Sequence, residues 1–293
     1  MIPFSIVPEI EKLLQSHTGK EGLIDETSAV GGGSINSAYR LVYAGQSFFL
    51  KYNYAGRFPK MFEQEAAGLT LLRQSRSLHI PSVIGTGSKD QISFILLDYI
   101  TEGQTNKVFW EKFGVGLAAM HKNTNTHFGL DHSNYIGSLR QENTHESSWS
   151  DFFIRHRLQP QLSLALKKGL ISSKTNRDFE KLFPLLPELF PQETPALLHG
   201  DLWSGNFLCS SVGVAVLIDP AVYYGHREMD LGMSKLFGGF HPHFYAAYHE
   251  AWPLEKGWQE RVDLCNLYPL LVHVNLFGSS YTSQVQSCLQ RFV

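Results

Sequence analysis

The sequence predicts an α+β protein of two lobes, a small β-rich lobe over residues 1–100 and a larger, mainly helical lobe over 101–293. Three observations predict it. Aromatic and β-branched residues cluster around glycine-rich breaks between Ser28 and Asn53, as in turns flanked by strands. Apolar residues then recur at helical spacing from Lys60 to Arg76. Finally, the polar break "TEGQTN" (101–106) follows the apolar run "ISFILLDYI" (92–100) and reads as a linker. With 293 residues the chain can bury a sizeable core, as one large unit or as two lobes sharing a cleft.

Composition narrows the function before any motif is read. A chain that is 43% hydrophobic and 18% charged is an ordinary folded protein, not a disordered one. Its formal charge of −2 argues against a general grip on nucleic acid or an anionic membrane. Cys209, Cys265 and Cys288 are odd in number and irregular in spacing, so they suggest neither a disulfide framework nor a zinc site. The start "MIPFSIVPEIEKLL" lacks the basic, apolar character of a secretion signal, and no run approaches the roughly 18 apolar residues of a membrane span. We expect a cytoplasmic protein.

In chain order, residues 3–16 read as a short helix, and "GGGSIN" (31–36) as a tight turn between strands. Glycines there serve a hairpin or let backbone N–H groups approach a phosphate; the loop matches neither a Walker A motif nor the dinucleotide fingerprint. Lys51 interrupts the apolar strand "SFFLKYN", either snorkelling outward at an edge or turning into a cleft towards phosphates. Glu65 bears on that choice. On the 60–76 helix it falls beside Phe62, Leu69 and Leu72, where a buried carboxylate needs a cation, and Lys51 is a candidate. Asp98 ends an apolar strand, as polar residues often do, or opens a hinge whose backbone binds a base.

The chemistry concentrates further on. In "LLHGDLWSGNF" (197–207), Asp201 precedes Asn206, and Asp219 follows the strand "VAVLI"; the rest of this half reads as helical. A carboxylate to accept a hydroxyl proton, with an amide and a second carboxylate to bind magnesium, is the equipment of phosphoryl transfer. Trp203 offers either an aromatic face for a sugar or a core side chain. Glu228 reads as a solvated surface acid or a ligand for an ammonium, and His226 as a loop residue or a hydroxyl partner. The pair in "HPHF" (241–244) lacks a third metal ligand nearby.

These residues together resemble the fructosamine kinase (ketosamine 3-kinase) family, a branch of kinases similar to aminoglycoside phosphotransferases and choline kinases. The resemblance rests on "LLHGDLWSGN" (197–206), "IDPAVYYGHREMDL" (218–231), "KLFGGF" (235–240), "RHRLQPQL" (155–162) and "GGGSIN", and covers the chain from Gly31 to about Ser280. It implies a protein-kinase-like fold using ATP and Mg2+. Asp201 would be the catalytic base, with Asn206 and Asp219 as magnesium ligands. Lys51 would contact the α/β-phosphates and pair with Glu65, while Gly32, Gly33 and Ser34 cover the nucleotide. Backbone groups of Asp98 and Ile100 would lie near adenine. Trp203, His226 and Glu228 would face the acceptor sugar, and His199 and Asp230 would order the catalytic loop.

The implied reaction is phosphorylation of the 3-hydroxyl of ketosamines, free or on glycated proteins, which destabilises the adduct and so removes the sugar. An aminoglycoside- or choline-type kinase and a silent nucleotide-binding module are the alternatives. The intact Lys51, Asp201, Asn206 and Asp219 set argues against the silent module. Departures from relatives are also visible. "IDPAVYYG" replaces the Asp-Phe-Gly of protein kinases, so no activation-loop switch is implied. Ser34 stands where some relatives carry cysteine, and Ser204 where many carry glycine.

Overall fold

The computed structural model describes residues 1–31 and 35–293. Gly32, Gly33 and Ser34, expected over the nucleotide, lie outside the described residues. Strands β1 (Ile24–Ala29), β2 (Ser37–Tyr43), β3 (Gln46–Tyr54), β4 (Val83–Lys89) and β5 (Ile92–Asp98) form one antiparallel sheet in the order β1-β2-β3-β5-β4. Ala44 and Gly45, both at positive φ (50° and 77°), make the two-residue turn joining β2 to β3, which suits the twist of paired strands.

The sheet is covered on both faces, which explains why β5 is apolar without alternation from Phe94 to Leu97. Phe48, Leu50, Phe94 and Leu96 pack with Ile10 and Leu14 of α1 (Val7–Thr18). The alternate residues Phe49, Ile95 and Leu97 pack with Phe62, Leu69 and Leu72 of α2 (Met61–Gln74). Lys51 shares this second face, paired in register with Ile95, so its side chain projects towards α2.

After the sheet, the break "TEGQTN" is a docked segment. Gly103 N–H donates to Cys209 O (2.8 Å), Ser211 N–H to Thr101 O (2.8 Å), and Asn106 caps α3 (Lys107–His121) by accepting from Phe109 N–H (2.9 Å). A short hairpin, β6 (Asn134–Ile136) and β7 (Leu139–Gln141), precedes α4 (Trp149–Phe152). A π-helical turn (Phe153–Leu158) leads from there into α5 (Gln159–Lys167), followed by α6 (Ser173–Leu182) and α7 (Leu186–Leu189).

Where the sequence shows one strand, at "AVLID", the structure has four: β8 (Ala196–Leu198), β9 (Phe207–Cys209), β10 (Ala215–Leu217) and β11 (Tyr223–Gly225). They pair as the ladders β10-β9 and β11-β8. Three residues per strand are too few for an alternation to be read. Helices α8 (Glu228–Lys235), α9 (Pro242–Ala251), α10 (Trp258–Phe277) and α11 (Thr282–Leu289) complete the chain. One core joins Phe62 and Leu69 of α2 and Ile95 of β5 to Phe113 and Leu117 of α3, Leu197 of β8 and Leu217 of β10. That core fixes the sheet's α2 face against the two short ladders that carry the polar loops.

Candidate active site

Four segments converge here. Lys51 on β3 is only 5% exposed, and its Nζ lies 2.7 Å from Glu65 Oε1 on α2 and also pairs with Asp219. Burial alone would lower the lysine pKa, but the carboxylates of Asp219 and Glu65 outweigh it and hold the ammonium above its usual value. Burial raises Glu65, with the Lys51 charge opposing the shift. The expected partner of Glu65 is therefore the observed one. Asp219 sits just beyond β10 in a left-handed conformation (φ 54°) with 46% of its side chain exposed, so its carboxylate faces solvent as well as Lys51.

The loop between β8 and β9 carries Asp201. Gly200 is at φ 83°, and a Cβ there would stand 2.1 Å from Ala221 O, so both conformation and space demand glycine. That close approach is matched by Ala221 N–H donating to His199 O (2.9 Å), which ties this loop to the Asp219 loop. Asn206 Nδ2 donates to the backbone oxygen of Asp201 (2.8 Å) and to Oδ2 of its side chain (2.9 Å). Burial pushes the Asp201 carboxyl up to about 7, with the Asn206 hydrogen bond opposing and Asp219 and Asp230 adding to the shift. Because the nitrogen of Asn206 faces Asp201, its Oδ1 is the atom left to meet a cation.

The support beneath the loop is charged and buried. Asp230 on α8 accepts from the backbone N–H of His199 (2.7 Å) and of Gly200 (2.9 Å), and lies 3.2 Å from Nε2 of His121 on α3. Burial would raise the Asp230 pKa, yet hydrogen bonds and charge from His121, with His199 and Gly200, keep it low. His199 donates from Nε2 to Ile218 O (2.9 Å), and burial lowers its pKa, favouring the neutral ring. Both residues thus occupy the ordering positions expected of them.

A second buried network, missed in the sequence, holds the other loop. Asn134 Nδ2 donates to Val222 O (2.8 Å) and Gln141 Nε2 to Ala221 O (3.1 Å), just after Asp219. Tyr268 donates to Gln141 Oε1 (2.7 Å), Asn143 to Asn134 Oδ1 (2.9 Å), and Arg157 to Asn143 Oδ1 (2.7 Å). The only sequence signal was the polar type of these residues in apolar surroundings, which does not identify partners far away in the chain.

Two acceptor-facing expectations fail. His226 is fully buried between Trp149 and Phe190 (ring centroids 5.9 and 5.1 Å), with Nε2 donating to Pro191 O (3.2 Å). Glu228, 2% exposed, takes a two-pronged hydrogen bond from Arg261 (2.8 and 2.6 Å). Neither has free capacity for a sugar, because a buried polar group requires an internal partner. Trp203 differs: it is half-buried, and its ring lies over Gly205, where a Cβ would be 2.4 Å from it.

Of the two expected hinge residues, Asp98 is tied to Ser82. Asp98 N–H donates to Ser82 O (3.1 Å) and Asp98 Oδ2 accepts from Ser82 N–H (3.2 Å), so the Asp98 N–H is not free for a base. Ile100 follows β5 as a half-buried residue.

Known proteins match this chain over nearly its whole length. The profile of the fructosamine kinase family matches residues 6–293. A probable ketoamine kinase of Synechocystis is 40% identical over 283 residues, covering 96% of this chain and 95% of its own. The chloroplastic protein-ribulosamine 3-kinase of Oryza sativa is 39% identical over 282 residues, covering 94% and 81%. A crystal structure of a putative fructosamine-3-kinase from Thermobifida fusca superposes with a TM-score of 0.88 at 34% identity, covering 97% and 98%. The fold is protein-kinase-like, and the chain belongs to the fructosamine kinase family.

Proposed function

We propose that this protein transfers the γ-phosphoryl group of ATP to the 3-hydroxyl of ketosamines, with residues 1–100 holding the nucleotide and 101–293 supplying the base and the acceptor site. The observation that carries this is the convergence of Lys51, Glu65, Asp201, Asn206 and Asp219, drawn from β3, α2 and the two loops beside β9 and β10. The relatives named as a probable ketoamine kinase and a protein-ribulosamine 3-kinase suggest the acceptor class.

Asp201 orients the acceptor hydroxyl and takes its proton as the oxygen–phosphorus bond forms and the bond to the ADP leaving group breaks. Lys51, held by Glu65, presents its charge to the phosphates. Asn206 Oδ1 and the Asp219 carboxylate are hard oxygen donors suited to magnesium, which would offset the phosphate charge. Asn206 Nδ2 simultaneously fixes the rotamer of Asp201, which keeps the base aimed while it ionises. Once phosphorylated, the ketosamine sheds its sugar, so the consequence is deglycation.

No helix among the described residues is long and apolar enough to cross a membrane. Cys209, Cys265 and Cys288 are all free thiols, which supports a reducing cytoplasm as the compartment. The test is magnesium-dependent ATP consumption by the purified protein with ribulosamine and fructosamine adducts of lysine, set against aminoglycosides and choline. Turnover confined to ketosamines is expected; turnover with aminoglycosides or choline alone would replace this reading.

A further inference from the structure

Phe237, between α8 and α9, is unfavourable on two counts. Its backbone is at φ 55°, ψ 48°, a left-handed conformation that an L residue with a bulky side chain adopts only against a steric penalty. The residue is nevertheless 37% exposed, so core burial does not compensate. Strain of this kind persists where a side chain's position serves a site.

The position is informative. The Phe237 ring stands edge-on to Trp203 (centroids 6.2 Å, planes at 82°), and Trp203 is two residues from Asp201. On its other side Phe237 meets His273 (4.7 Å) and Tyr281 (6.2 Å). His273 continues to Phe277 (5.4 Å), which ends α10 with 52% of its surface exposed. His273 Nδ1 donates to Pro269 O (2.7 Å), which fixes that ring within the row. An aromatic wall therefore runs from the catalytic loop to the open end of α10.

The chemistry of the acceptor says what such a wall would meet. In a ketosamine the amine sits on the carbon two positions from the 3-hydroxyl, so whatever carries the amine must leave the site close to the base. Aromatic faces suit both a methylene stem and a nearby ammonium. We infer that Trp203, Phe237, His273, Tyr281 and Phe277 form a subsite for the amine carrier, which favours the extended stem of a glycated lysine side chain over a short amine. The subsite rests on the ketosamine kinase reading.

Phe237→Asn tests it, because asparagine tolerates the left-handed backbone while removing the ring. The assay compares kcat/KM for the ribulose adducts of lysine and of methylamine. The ratio of the two should fall about tenfold in the variant, the scale of two methylenes losing their apolar cover. The melting temperature should hold or rise, whereas a ring serving only the fold would lower it. Phe277→Ser should move the ratio the same way by a smaller factor. An unchanged ratio in both variants overturns the subsite. Wild-type protein that turns over neither adduct overturns the kinase reading itself, and the subsite with it.

Discussion

The loop 199–206, between β8 and β9, and the segment 223–231, which spans β11 and the start of α8, are both rich in polar and charged residues, and the sequence offered candidate site residues in each. The structure separates them by what their side chains have left to offer. In the first, Asp201 is held by one amide nitrogen and is pushed by burial to a pKa of about 7, leaving it able to exchange a proton near neutrality. In the second, Glu228 is paired with Arg261, Arg227 with Glu193 (2.8–3.0 Å), and His226 with a backbone carbonyl. A chemically competent group retains unsatisfied capacity in an accessible place, while a structural one is saturated. The second segment's charges secure α8, whose Asp230 then carries the first segment's backbone.

That comparison can be broken most decisively at its two ends. Asp201→Asn should lower kcat about 10³-fold, the range of a lost general base, with ATP binding and melting temperature retained. Equilibrium nucleotide binding alongside steady-state rates checks it, and near wild-type turnover would remove Asp201 from the role of base. Glu228→Ala should do the opposite. It strands the Arg261 guanidinium and should cost about 3 kcal/mol of stability, with kcat/KM of the folded fraction nearly kept. Chemical denaturation paired with activity at low temperature measures both quantities, and a large loss of kcat/KM without loss of stability would return Glu228 to the acceptor site.

The smallest effect is the pH profile. In the proposed mechanism Asp201 acts as a base only when ionised, so the raised pKa places its active form above about pH 7. Below that value kcat should fall about tenfold per pH unit. A flat profile between pH 5.5 and 7 would show that the carboxyl ionises well below this range in the working complex.

Much of the site was legible because its chemistry is local. Asp201 and Asn206 are five residues apart, and the amide holds the carboxylate across that short loop. Glu65 was legible for a different reason: helical spacing placed it on an apolar face, and a carboxylate there requires a cation. His226 and Glu228 were misread because their partners, Pro191 and Arg261, lie 35 and 33 residues away, and nothing in the local string reveals them. Phe237 was similarly silent. The letters "FGG" mark a turn, but not the ring beside Trp203.

The sequence by itself determined the β-rich beginning and helical remainder, the position of α2 and the need of Glu65 for a cation, because periodicity and short-range spacing are carried by neighbours along the chain. Only the tertiary structure decided which polar groups are already paired, which loops are pinned together through Ala221 and Asp230, and which aromatic rings line up beside Asp201. Those outcomes depend on burial and on hydrogen-bond partners brought together from distant segments, and a side chain's capacity to react is whatever those partners leave unused.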